Sequence, residues 1–166
     1  MYNIIGGFMK EIIELLTKRK ETVSTMESCT GGGIANAITN IEGASEVFKY
    51  SAVTYANEFK IKMGISKEVI DKYTVYSVEV ANEMSREITT YAESDYGIGI
   101  TGKLNIRDKF NPYGKDNIVF ISIYSKKEDK CYNATVECNS NSIIENKALV
   151  LNTVIYLLKM VIERNI

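Results

Sequence analysis

The sequence of 166 residues contains no histidine. An imidazole can therefore be neither the general base of a reaction nor a metal ligand, and no metal site is expected. Any base must be a Lys, Asp, Glu or Tyr side chain or the amino terminus. Cysteine is also scarce: Cys29, Cys131 and Cys138 form an odd set in a chain large enough to fold without crosslinks. This number argues against a secreted disulfide scaffold and favours reduced thiols.

Neither sign of charge dominates, and long hydrophobic runs are lacking. Twenty basic and 21 acidic residues leave a net charge of −1, without a long block of one sign that would attract nucleic acid or an anionic membrane. Polar residues interrupt the apolar stretches well before the ~20 residues needed to cross a bilayer. The N-terminus lacks the pattern of a secretory signal. We therefore expect a soluble, cytoplasmic protein without nucleic-acid or membrane partners.

The hydrophobic pattern predicts an α/β fold. A hydrophobic content of 45% allows one ordinary core, so we expect residues 1–166 to form a single domain. Apolar residues at helical spacing predict a first helix between Ile5 and Leu16, and Ser77 should cap a helix that buries Ala81, Met84, Ile88 and Tyr91. Further helices are expected over residues 57–63, from 66 to 72 and after the capping box formed by Ser142 and Glu145. Strands are expected at 22–26, 47–55, 97–101, 117–124 and 131–138. Because a hairpin follows alternating helices and strands, we predict a three-layer α/β/α sandwich with a mixed β-sheet.

A tight turn joins the first strand to the next helix. The segment Glu27-Ser28-Cys29-Thr30-Gly31-Gly32-Gly33 lies between them. Glycines at such a turn leave backbone N–H groups at a helix N-terminus, where they can hold an anion or a developing oxyanion. A serine hydroxyl there is well placed to act as a nucleophile. The alternative is that Ser28 or Thr30 merely caps the helix.

Two other patterns indicate packing rather than chemistry. Gly97, Gly99 and Gly102 have the spacing of a dinucleotide-binding fingerprint, but they lie within a strand and no amphipathic helix follows. Close approach of the backbone to a neighbour or ligand is the better interpretation. Cys131 and Cys138 lie on one strand without partner ligands, which is typical of core thiols.

Several blocks resemble the CinA C-terminal domain family, the nicotinamide-nucleotide amidases. They are residues 27–32 (Glu-Ser-Cys-Thr-Gly-Gly), 53–60 (Val-Thr-Tyr-Ala-Asn-Glu-Phe-Lys) and 64–65 (Gly-Ile), with the first two at the family's own separation. Residues 76–81 (Tyr-Ser-Val-Glu-Val-Ala) are similar to a helix start of the family, and residues 99–102 (Gly-Ile-Thr-Gly) to a strand end. The likeness covers about residues 5–160.

The resemblance implies hydrolysis of the carboxamide of nicotinamide mononucleotide to nicotinate mononucleotide and ammonia, without a metal or cofactor. It implies that Ser28 is the nucleophile and that Tyr55 and Lys60 orient and deprotonate it. A lysine base must be neutral, so its pKa must fall well below about 10.4. The substrate-binding residues implied are Thr30, Gly31, Gly32, Asn57, Thr101, Gly102, Lys103 and Arg107.

The sequence departs from the family in two places. Residues 103–112 replace a loop rich in glycine and proline, and Ser142 and Glu145 stand where the family tends to have arginine. We expect Lys103 or Arg107 to replace the missing phosphate contact, and phosphate or sulfate to bind between the turn of Gly31 to Gly33 and the loop. The apolar last helix favours a homo-oligomer, and among oligomers we expect a dimer. The alternative function is a non-catalytic paralogue that binds a nucleotide or serves in assembly.

Overall fold

The computed structural model describes residues 2–164. Seven helices and five strands lie in these residues. The helices are α1 (Tyr2–Arg19), α2 (Gly33–Thr39), α3 (Ala44–Val47), α4 (Asn57–Lys62), α5 (Lys67–Tyr73), α6 (Val78–Ala92) and α7 (Ile143–Arg164). The strands are β1 (Val23–Glu27), β2 (Phe48–Val53), β3 (Tyr96–Gly102), β4 (Ile118–Ser125) and β5 (Lys130–Glu137).

The five strands form one mixed sheet in the order β2-β1-β3-β4-β5. Strand β1 pairs in parallel with both β2 and β3, whereas β4 is antiparallel to β3 and forms a hairpin with β5. Helices α5 and α6 cover one face of the sheet, and α1, α2, α3 and α7 cover the other. The predicted α/β/α sandwich with a mixed sheet is confirmed.

The two faces of the central strands differ in side-chain size. The face toward α1 and α7 is rich in isoleucine, namely Ile98, Ile100, Ile121 and Ile123. The face toward α6 carries glycine and serine: a Cβ on Gly97 would lie 2.0 Å from Thr89 Oγ1 and 2.1 Å from the carbonyl oxygen of Ser85. Helix α6 therefore packs directly on the backbone of β3. This contact confirms that Gly97 allows close approach of the backbone.

Serine side chains cap the N-termini of three helices, as the sequence predicts. The hydroxyl of Ser66 accepts a bond from the N–H of Val69, and that of Ser77 accepts one from the N–H of Val80. Ser142 Oγ likewise accepts from the N–H of Glu145. The Glu145 carboxylate accepts from the hydroxyl of Ser140 instead of returning to Ser142, so only half of the predicted capping box is formed.

Three details differ from the sequence prediction or lie beyond it. Tyr91 is 64% exposed and stacks on Tyr50 of the edge strand β2, so the prediction that α6 buries it is wrong. Helix α3 has only four residues, too few to show a helical period. The side chain of Ile5 lies outside the described side chains. Within residues 2–164, no helix has both the length and the apolarity needed to span a membrane.

Two glycine-to-alanine variants test the packing of α6. We expect Gly97→Ala to lower the free energy of unfolding by about 3 kcal/mol, because a methyl group would collide with backbone and side-chain atoms of α6. Gly7→Ala is the matched control: Gly7 lies in α1 with open space around it, so the change should stabilise by about 0.5 to 1 kcal/mol. Urea-induced unfolding measures the free energy of unfolding of both variants and of the wild type. Equal stability of Gly97→Ala and the wild type would show that α6 has room to move away.

Candidate active site

Ser28 lies at the edge of the sheet where two parallel strands end. It follows β1 directly, and its N–H donates to the carbonyl oxygen of Ile100 on β3 at 3.0 Å. The extended pairing fixes the backbone of Ser28 relative to both strands. Its side chain is buried but lines a cavity, so the hydroxyl is both fixed and reachable. Ligand sites of α/β proteins commonly lie at this edge, outside the carboxyl ends of the strands.

A buried carboxylate closes the turn after β1. The side chain of Glu27 accepts hydrogen bonds from Thr30 Oγ1 at 2.6 Å and from the N–H groups of Ile34 and Ala35 at 3.2 and 2.9 Å. The first turn of α2 therefore already holds an anion, which belongs to the chain itself. The N–H groups of Ile34 and Ala35 are thus occupied, whereas binding of an anion at the glycine turn itself stays a prediction.

The capping alternative for Ser28 and Thr30 is wrong. The N-cap of α2 is Gly32, which has a left-handed backbone (φ 89°) and makes no side-chain cap bond. The N–H groups of Gly31 and Gly33 donate to the carbonyl oxygens of Ser28 and Thr30, which tightens the turn. Because the hydroxyl of Ser28 does not cap the helix, it is available to another partner.

That partner is Lys60 of α4. Its Nζ lies 3.0 Å from Ser28 Oγ and donates to the carbonyl oxygen of Thr54 at 2.6 Å. Thr54 follows β2, and its N–H donates to the carbonyl oxygen of Glu27 at 2.9 Å, which continues the pairing of β1 and β2. The side chain of Lys60 is thus directed at Ser28 by the ends of both strands, and only 1% of the residue is exposed.

Burial changes the protonation of both groups that flank Ser28. It lowers the pKa of Lys60 to about 8, against the opposing effects of Cys29 and Asp108, so an appreciable fraction of the amine is neutral near physiological pH. Burial also raises the pKa of the Cys29 thiol to about 12, with a further increase from nearby Cys138. The thiol beside Ser28 therefore stays protonated and is a poor nucleophile. Lys60 can accept a proton and Ser28 can supply one.

The cavity at Ser28 has a volume of about 860 Å³. Its walls are the loop between β3 and β4, the segment between β2 and α4, and the start of α7. Of the residues expected to act, six line it: Ser28, Tyr55, Asn57, Gly102, Lys103 and Arg107. The other expected binding residues, Thr30, Gly31, Gly32 and Thr101, are not among its lining residues, and Lys60 reaches it through Ser28.

Three of the expected site residues have an exposure or a bonding partner that the sequence did not indicate. Tyr55 is 75% exposed and, in the described part of the chain, makes no hydrogen bond to Ser28 or Lys60. The hydroxyl of Thr101 is fully buried and donates to the carbonyl oxygen of Val75 at 2.9 Å, so it has a structural partner. Lys103 Nζ lies 2.9 Å from Asp116, and its charge is already paired.

Sequence reasoning missed several residues that line the cavity. Lys147 of α7 extends over the glycine turn, with its Nζ 3.5 Å from the position that a Cβ on Gly31 would take. Asp108, Tyr76 and Asn111 form a hydrogen-bonded group on the cavity wall. Only the position of Lys147, one turn into the last helix, could have pointed to it, because the other three depend on the path of the loop.

Known proteins resemble this chain in sequence and in structure. A CinA-like protein of Flavobacterium psychrophilum is 42% identical over 130 residues, which cover 75% of this chain and 31% of that protein. The chain spans less than a third of the length of the curated relatives it matches. The crystal structure of competence/damage inducible protein CihA from Agrobacterium tumefaciens superposes with a TM-score of 0.82 at 27% identity, covering 98% of this chain and 96% of that one.

A CinA superfamily protein from Klebsiella pneumoniae superposes with a TM-score of 0.84 at 19% identity, over 96% of this chain and 98% of that one. At that identity the likeness supports the fold alone. A sequence model of the CinA C-terminal domain matches residues 7–160. This chain therefore belongs to the CinA C-terminal domain family.

Proposed function

We propose that this chain is an amidohydrolase that acts on nicotinamide mononucleotide, or a closely related carboxamide, through a serine–lysine mechanism. The observation that carries the proposal is the distance of 3.0 Å between Ser28 Oγ and the buried Nζ of Lys60 at a cavity of nucleotide size. Membership of the CinA family supports it. So does the absence of histidine, which leaves a lysine as a reasonable base.

In the proposed reaction, neutral Lys60 accepts the hydroxyl proton of Ser28 while Oγ attacks the carboxamide carbon. The tetrahedral intermediate collapses to an acyl ester on Ser28, and the protonated amine of Lys60 returns its proton to the leaving nitrogen, which departs as ammonia. A water molecule, deprotonated by Lys60, then attacks the ester. Lys60 returns this proton to Ser28 Oγ as the acyl group leaves, and the acid product loses its own proton to solvent and departs as the carboxylate. Lys60 therefore alternates between base and acid, which suits a pKa of about 8.

We propose that the phosphate of the substrate binds Arg107 and Lys147. Both line the cavity, on the loop after β3 and at the start of α7. Lys103, whose charge is paired with Asp116, is a weaker candidate than the sequence alone suggested. Tyr55 and Asn57 are proposed to contact the bound ligand from the segment between β2 and α4 and from the first residue of that helix.

Location and assembly are also proposals. We propose a cytoplasmic location and a homodimer, and the exposed apolar side chains of α7 are what favours self-association. They include Ile144, which is 77% exposed, together with Leu149 and Tyr156.

The serine–lysine pair is tested by ammonia release from nicotinamide mononucleotide and a panel of small amides. Ser28→Ala and Lys60→Ala should each reduce turnover by roughly 10³-fold or more. The double variant should be little slower than the less active of the two single variants, because both residues act in one proton transfer. Lys60→Arg should not restore activity, since arginine keeps its proton. Lys62→Ala, an exposed lysine of the same helix, is the control that should retain activity. Circular dichroism confirms folding.

Wild-type activity should rise with pH through an apparent pKa near 8, because only the neutral amine of Lys60 accepts the proton. Near-normal turnover of Ser28→Ala would show that the serine mechanism is wrong. If the wild type releases no ammonia from any amide, the binding or assembly module takes the place of the amidase.

Burial of the Lys60 amine should also affect how the free energy of unfolding depends on pH. The unfolded chain keeps the Lys60 proton up to its ordinary pKa of 10.5, whereas the folded chain loses it at about 8. Between these values the unfolded state binds more protons, so the free energy of unfolding should rise with pH by about 1.4 kcal/mol per unit, relative to Lys60→Met. Urea unfolding of both proteins from pH 7 to 11 gives this difference. A constant difference across that range would mean that the pKa of Lys60 is not lowered.

The phosphate contacts are tested by comparing nicotinamide mononucleotide with its unphosphorylated riboside. Arg107→Ala and Lys147→Ala should each raise the KM for the mononucleotide by about tenfold with little change in kcat, because a remote charge contributes mainly uniform binding. Neither should affect the riboside. Lys115→Ala, an exposed residue of the same loop that does not line the cavity, is the control. Unchanged KM values in both variants would place the phosphate elsewhere.

A further inference from the structure

Asp108 is the single acidic side chain among the described residues that line the cavity. Four basic residues line it as well, namely Lys103, Arg107, Lys109 and Lys147. In the described part of the chain, none of them forms a salt bridge with Asp108. An acid among so many bases would ordinarily be expected to pair with one of them. Its unpaired charge therefore calls for an explanation.

The carboxylate of Asp108 is held in place by neutral donors. Its Oδ2 accepts hydrogen bonds from the hydroxyl of Tyr76 and from Asn111 Nδ2, the latter at 2.8 Å, and its Oδ1 accepts from the N–H of Phe110 at 2.8 Å. Asn111 in turn accepts from Asn57 Nδ2 at 2.6 Å. Because Asn57 is the first residue of α4, this chain of bonds fixes the carboxylate relative to the helix that carries Lys60.

These bonds keep the carboxylate charged. Partial burial alone would raise the pKa of Asp108, but the bonds from Tyr76, Asn111 and the N–H of Phe110 outweigh it and lower the pKa to about 2. The charge also acts on Lys60, because Asp108 opposes the effect of burial on the pKa of that amine. The cavity thus has a fixed negative charge whose field reaches the amine of Lys60.

We propose that Asp108 is a specificity-determining residue that selects substrates with a positive charge on the ring that bears the carboxamide. The inference rests on the proposed amidase function. Neutral donors position Asp108 without neutralising it, so a cationic ring bound beside Ser28 would provide the missing counter-charge. Arg107, the preceding residue of the same loop, and Lys147 of α7 offer the opposite charge in the same cavity. Together they match a zwitterion with a cationic ring and an anionic tail.

The alternative role of Asp108 is to order its loop without any contact with the ligand. The two roles differ in their response to ring charge. Oxidised nicotinamide mononucleotide has a cationic pyridinium ring, whereas the reduced form has a neutral dihydropyridine ring with the same carboxamide, ribose and phosphate. A loop that is merely ordered by Asp108 would treat the two ligands alike.

Isothermal titration calorimetry on the Ser28→Ala protein, which should not turn over, gives Kd for both forms. We expect the oxidised form to bind about tenfold more tightly than the reduced one. Adding Asp108→Asn should abolish this preference and change the affinity for the reduced form less than twofold. The preference should persist in Glu58→Gln, which removes an exposed charge from α4.

Equal loss of affinity for both forms in Asp108→Asn would overturn the proposal and assign Asp108 to loop order. The absence of a preference in the parent protein, or of any binding, would overturn it too. Loss of the preference in Glu58→Gln would show that the general surface charge, and not Asp108, selects the ring. Ammonia release by the wild type is measured separately. A charge preference without amidase activity would therefore refute the proposed reaction and leave the role of Asp108 supported.

Discussion

The exclusion of water from the amine of Lys60 is the constraint on which the site depends. The amine has two partners, Ser28 Oγ and the carbonyl oxygen of Thr54, and neither carries a charge that would stabilise an ammonium ion. A lowered pKa follows from that environment. The same environment requires that both strand ends are in place, since Thr54 is held by Glu27 and Ser28 by Ile100. The sheet therefore provides the chemistry of the lysine as well as its position.

Glu27 limits the donors that a ligand could use after β1. Its side chain occupies the N–H groups of Ile34 and Ala35, so these two groups are not open to a ligand. The proposed recognition of a charged ligand then depends on side chains around the cavity. These side chains come from the loop after β3 and from α7. The Ser28–Lys60 pair and the proposed recognition surface thus belong to separate parts of the chain.

Much of the fold could be predicted from the sequence, because apolar residues recur at strand and helix spacing and serine residues mark the starts of three helices. Tyr91 was misplaced because helical periodicity does not show where the sheet beneath the helix ends. Tyr91 lies 64% exposed beside Tyr50 of the edge strand β2. Ser28 and Lys60 are 32 residues apart, so only the family resemblance connected them. The group around Asp108 follows no local pattern, since its bonds depend on the path of a loop. The same holds for the reach of Lys147 from α7.

The order of strands also bears on how the site forms during folding. The hairpin of β4 and β5 closes through a four-residue turn at 126–129, whereas β1 must insert between two strands that are distant in sequence. Hairpins form early and such long-range parallel pairing is slow. Burial of the Lys60 amine depends on β1, because Ser28 follows that strand and Glu27 at its end holds Thr54. Under the proposed mechanism, a nascent or partly folded chain would therefore be inactive until the central strand completes the sheet.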